Sequence, residues 1–132
     1  PDSLEDHEIK AVQCAVDMRD ELKILNGIWD NDESSRYWKN HNIDTVTHRT
    51  GIHTGSIIAG NIGSERMLQY SAIGDVVNVA ARLEQANKEF ETSIALSEDI
   101  YINLTKALHD TAALSGEIKL KGRSVTSKVY SI

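Results

Sequence analysis

Cysteine is nearly absent: Cys14 is the only one in 132 residues. An internal disulfide is therefore excluded, and a reducing compartment is expected. Cys14 follows Val12 in a helical pattern and reads as a small buried residue. Long hydrophobic runs are missing too. No apolar stretch approaches about 20 residues, so none can span a bilayer as a helix. No signal peptide is visible, and the chain opens at Pro1 in a polar acidic segment, as if cut from something longer. Positive charge is also in short supply. A net charge of −6 argues against general nucleic-acid binding, which needs a basic face.

The charge is unevenly spread. Ten acids face three bases between Pro1 and Ser35, whereas Lys119, Lys121, Arg123 and Lys128 face only Glu117 from Gly116 onward. An anionic ligand belongs near the second region; a solvated hairpin explains the same charges without one. With 40% hydrophobic residues the chain can fill one core.

Apolar residues recur at helical spacing over residues 5–26. Ala11, Ala15, Met18, Leu22 and Leu25 form one stripe, widened by Val12 and Val16 and closed by Asn26-Gly27. Residues 27–44 read as a polar loop carrying Trp29, Tyr37 and Trp38. Asp30, Asp32 and Ser34 occupy the first three ligand positions of a calcium loop, but Ser35 replaces its glycine and His41 its closing glutamate.

Two strand-like runs follow, about 45–53 and 56–62, hinged at Thr54-Gly55. Gly55, Gly60 and Gly63 fit neither a P-loop nor a dinucleotide fingerprint, and Asn61 stands where a P-loop needs lysine. They read as turns and close backbone approach. "SERMLQYSAIG" is an arm-like segment ending in a short strand. A helix starts at Gly74-Asp75 and runs to about Asn87. "TSIALSEDIYINL" reads as a strand, a Ser97 cap and a short helix, and "GEIKLKGRSVTSKVYSI" as a hairpin. Helices interleaved with strands imply an α/β chain, folded as an α+β sandwich.

The five histidines show no metal-ligand spacing, and His53 reads as a packed, hydrogen-bonded residue. No nucleophile–base set emerges. One pair is different. Asn78 and Arg82 lie four apart on the helix from Asp75, bordering a packing stripe of Val76, Val79, Ala80 and Leu83. Such a pair can be structural, with arginine on a carboxylate and asparagine on a loop. Together they can also orient a phosphoryl group and spread positive charge over its oxygens.

The stretch "RTGIHTGSIIAGNIGSERMLQYSAIGDVVNVAARLE", residues 49–84, resembles the catalytic domain of class III nucleotidyl cyclases. Its several elements stand in the family's order, and the likeness extends weakly over the first helix and through "ALSEDIY" and "IKLKGRS". The resemblance implies a ferredoxin-like cyclase catalytic fold. Residues 1–132 would be a partial domain lacking its N-terminal third and the metal-binding strands there.

Carried onto matching positions, the resemblance implies that Asn78 positions the ribose and reacting group. Arg82 would stabilise charge on the pentavalent phosphorus, and Lys121 would grip the terminal phosphates. Ser71 falls where the family reads the purine, with Ala72 and Ile73 giving backbone contacts to the base. A hydroxyl can accept from adenine or donate to guanine, so Ser71 is chemically ambiguous; the resemblance tilts it to ATP.

Two divalent ions, Mg2+ or Mn2+, are implied, with both aspartate ligands expected upstream of Pro1. Asp2 and Asp6 lack the strand context for that role. The resemblance further implies a head-to-tail homodimer with sites at its interface, fusion to a regulatory or sensor region, and a cytoplasmic location, free or on a membrane-anchored parent. The expected activity is conversion of ATP to cyclic AMP and pyrophosphate. The rivals are a guanylyl cyclase, a non-catalytic nucleotide-binding or dimerisation module, and an unrelated α/β interaction domain.

Overall fold

The computed structural model describes residues 4–33, 35–64, 67–119 and 126–132. Helix α1 spans His7–Asp30 and α2 Ser35–Asn40. Strands β1 (Thr50–Ile52), β2 (Ile58–Ser64) and β3 (Met67–Ile73) lead into α3 (Asp75–Glu89). Then come β4 (Ile94–Ser97), the short helices α4 (Glu98–Tyr101) and α5 (Lys106–His109), and the strands β5 (Ala113–Lys119) and β6 (Thr126–Ser131). The main sheet has the order β1-β4-β6-β5, with β1 parallel to β4 and the other pairs antiparallel. β2 and β3 form a separate antiparallel hairpin.

Period-two alternation along β4 divides the core between two faces. Ile94 and Leu96 pack with Val12 and Ala15 of α1, Ile52, Ile100 and Tyr130. Ala95 turns the other way, toward Val79 and Leu83 of α3 and Val129. The chain is thus a mixed α+β fold with α1 and α3 on opposite faces of one sheet, as the interleaved pattern predicts. The stacked rings of Tyr101 and Tyr130, 3.7 Å apart, close the first core at its α4 end.

Several local expectations fail for physical reasons. α1 does not stop at Asn26-Gly27. The Asn26 amide donates to the Val46 carbonyl at 2.8 Å and accepts from the Val46 N–H at 2.9 Å, so it clamps the strand-side segment instead of ending the helix. The buried line of α1 is Val12 and Ala15, with Val16, Arg19 and Leu22 half-buried; Ala11, Met18 and Leu25 face outward. Cys14 is exposed, not buried, because it lies on that outward line. The loop read over 27–44 contains the last turn of α1 and all of α2, where Tyr37 packs edge-on against Trp38. Asp30, read as a calcium-loop position, pairs with Lys39.

Residues 45–49 do not join the sheet, so β1 is only three residues long. The arm is a full seven-on-seven hairpin, longer than the short strand expected. Its return is tight at Gly63, whose φ of 144° and proximity to the Met67 carbonyl leave no room for a Cβ. Ser97 caps α4, accepting from the Ile100 N–H at 3.4 Å, and His53 Nδ1 lies 2.9 Å from the same hydroxyl. That places His53 as a packed, hydrogen-bonded residue, as read.

Candidate active site

α3 carries the candidate pair, and β1 dictates where α3 sits. Gly51 is the seat. A Cβ there would run into the Ala80 carbonyl and the Glu84 N–H, so helix and strand touch backbone to backbone. Val79, Leu83 and Ala86 bury the inner face of α3 at helical spacing. Gly74 takes the N-cap position and Asp75 falls in the first turn. The helix then runs two residues past the expected end, to Glu89.

With the inner face committed to packing, Asn78 is exposed and Arg82 half-buried on the outer flank. Arg82 Nη1 donates to the backbone carbonyl of Lys119 at 2.9 Å. This bond ties the guanidinium to the last residue of β5. An open groove of about 380 Å³ lies beside it, lined by Arg82, Gln85, Glu89, Glu117, Ile118 and Lys119. Thr126 donates to Glu117 at 2.6 Å where β5 ends and β6 begins. On β6, the hydrogen bond to Glu98 holds the Lys128 ammonium above its ordinary pKa.

Ser71, Ala72 and Ile73 end β3, opposite Gly60, Ala59 and Ile58. Gly74 alone separates that strand end from α3, so the purine-reading and phosphoryl-facing candidates share one continuous strand–helix unit. Ser71 is half-buried; Ala72 and Ile73 are exposed. Lys121 lies outside the described residues. Among the described residues no group of three or more His, Cys, Asp or Glu side chains is placed to hold a metal ion. The described residues by themselves therefore do not make a metal centre.

Two contributors carry little signal in the sequence. The Lys119 carbonyl carries no side-chain signal at all. Asn87 was read only as a helix end, yet it lies four residues after Leu83 on the packing stripe and is 1% exposed. A polar residue at a core position was the available clue.

The fold and the site together define a mixed α+β domain in which an outward Asn/Arg pair rides a helix seated against the sheet, directly after the end of β3. Comparison with known proteins gives the class. The family described as the adenylate and guanylate cyclase catalytic domain matches residues 3–132, and the chain belongs to that family. It is 32% identical to Adenylate cyclase 1 of Rhizobium meliloti over 126 residues, 96% of this chain but 17% of that protein. It is also 32% identical to Guanylate cyclase alpha of Plasmodium falciparum, over 83% of this chain and 3% of that protein. The solved adenylyl cyclase CyaB from P. aeruginosa is similar with a TM-score of 0.64 at 28% identity, over 94% of this chain and 57% of that one. The guanylyl cyclase Cya2 shares the fold, with a TM-score of 0.71 at 24% identity, over 99% of this chain and 60% of that one. The chain therefore spans a small part of these curated relatives and somewhat over half of these two solved chains.

Proposed function

We propose that this chain supplies the transition-state half of an adenylyl cyclase centre, converting ATP to cyclic AMP and pyrophosphate. The observation that carries the reading is the Asn78/Arg82 pair on the free flank of α3, with Arg82 fixed from behind by the Lys119 carbonyl. In the reaction the ribose 3′-oxygen attacks the α-phosphorus in line, losing its proton to water. The bond from that phosphorus to the oxygen bridging the β-phosphate breaks, and pyrophosphate leaves. Arg82 stabilises the charge that builds on the pentavalent phosphorus, and Asn78 orients the ribose. Ser71 contributes to base choice, Ala72 and Ile73 offer backbone groups to the base, and Lys121 holds phosphates.

The cyclase family generally uses divalent metals, here Mg2+ or Mn2+. We place their ligands on strands that precede this chain and add to the outer edge of β1, which among the described residues pairs only on its β4 side. The exposed Met18, Leu25 and Ile28 on α1 offer the same missing part an apolar face. The β2–β3 hairpin supports a head-to-tail homodimer. Ile58, Met67 and Tyr70 are each more than 70% exposed there, an expensive arrangement for an isolated chain. Fusion to a regulatory region fits the much greater length of the curated relatives. A cytoplasmic setting fits the use of ATP.

The deciding experiment assays the full-length protein with ATP and with GTP in turn, each with magnesium or manganese. Cyclic AMP as the main product supports the reading. Cyclic GMP as the main product, which the ability of the Ser71 hydroxyl to donate as well as accept permits, makes it a guanylyl cyclase. Neither product points to a non-catalytic module.

A further inference from the structure

We infer that Asn87 is a positioning residue for this reaction, holding α3 on β1 at the height and rotation that put Arg82 in register with its phosphoryl group. The inference rests on the cyclase reading above. The Asn87 side chain is buried and its amide is fully engaged. Nδ2 donates to the Thr50 carbonyl at 2.9 Å and lies 3.3 Å from the carbonyls of Leu83 and Glu84. Oδ1 accepts from the Thr92 hydroxyl at 2.7 Å. The backbone joins in: Thr92 N–H donates to the Asn87 carbonyl at 2.9 Å, and Thr50 N–H to the Ser93 carbonyl at 2.8 Å.

Three consecutive residues of the β1 side thus hold α3. Arg49 pairs with Glu84 at 2.8 Å, Thr50 takes the Asn87 amide, and Gly51 receives the helix backbone. They differ in what they can fix. The Gly51 seat is a smooth contact, and the apolar burial around it is non-directional, so both tolerate a small slide or roll of the helix. The Arg49–Glu84 pair is about half exposed, where ion pairs are weak. The Asn87–Thr50 bond is directional, and because the Asn87 side chain is buried it is costly to leave unmade. Arg82 lies five residues up the same helix, about 7.5 Å along its axis. A shift at Asn87 is therefore delivered to the guanidinium almost undiminished, and misplacement by about 1 Å can cost on the order of a hundredfold in rate.

The test uses the full-length protein, assayed with ATP and GTP at a temperature where circular dichroism shows every variant folded. Asn87→Ala and Asn87→Asp should lower kcat by about tenfold to a hundredfold while KM stays within about twofold. Relative to wild type, Asn87→Asp should recover as pH falls, because a neutral carboxyl can again donate to the Thr50 carbonyl and a carboxylate cannot. In an Arg82→Ala background, Asn87→Ala should cost less than about threefold more, since the group it positions is gone. If Asn87→Ala does not fold, Asn87→Asp and the milder Thr92→Val carry the same comparison. Wild-type kcat in the Asn87 variants beside a crippled Arg82→Ala overturns the inference alone, as does full additivity in the double variant. Wild-type kcat in Arg82→Ala overturns the cyclase reading and the inference with it.

Discussion

Arg82 and Lys119 meet through the backbone: the guanidinium Nη1 donates to the Lys119 carbonyl at 2.9 Å. One end of the arginine fork is thereby spent on orientation, and among the described residues the other N–H groups are left for oxygens in front of it. The carbonyl belongs to the last residue of β5, so the hairpin and the helix are joined at the proposed centre.

Replacement of Arg82 tests that centre directly. In the full-length protein Arg82→Ala should lower kcat by about a hundredfold or more and move KM little, because the charge it meets develops only in the transition state. Arg82→Lys should not restore the rate, since a single ammonium cannot hold the Lys119 carbonyl and the phosphoryl oxygens together. Steady-state kinetics decide it; an unchanged kcat removes Arg82 from the mechanism.

Base choice is read at Ser71. Ser71→Cys or Ser71→Asp should change the ratio of kcat/KM for ATP and GTP, because each replacement alters what the strand end can donate or accept. A ratio that stays at the wild-type value takes Ser71 out of purine reading.

Gly51 should tolerate no side chain. Gly51→Ala forces α3 off β1 and should cost about 1–3 kcal/mol of stability, as overpacking does. Activity should fall further than the stability loss explains, because α3 carries Asn78 and Arg82. Thermal melting beside kinetics at a permissive temperature separates the two effects. A variant with wild-type melting and rate would show that the contact is slack.

The hairpin should govern assembly. Ile58→Asp combined with Tyr70→Asp puts charge on both faces of the β2–β3 arm, where Ile58 is 75% and Tyr70 72% exposed. Sedimentation velocity should show a shift toward monomer with loss of activity at the same protein concentration, since each site would need two chains. A full-strength dimer would place the interface elsewhere.

What the sequence determined by itself was whatever depends on local spacing. The four-residue step from Asn78 to Arg82 requires one helix flank, whatever surrounds it. The Ser97 cap and the strand that leads into it are equally local, and the motif order over residues 49–84 was enough to give the family. Competition between equivalent local choices lay beyond it. α1 carries two apolar lines at helical spacing, through Ala11, Met18 and Leu25 and through Val12 and Ala15, and only packing against Ile94 and Leu96 selects the second. Asn26-Gly27 has the form of a helix end, but the amide gains more from pairing with both polar groups of Val46. Asn87 reads from its own segment as no more than a helix end; its neighbour Thr92 engages the amide oxygen, but the Thr50 carbonyl that takes the amide N–H comes from 37 residues away. The tertiary structure decided these cases because burial and hydrogen bonding are settled between segments, and no single segment carries both partners.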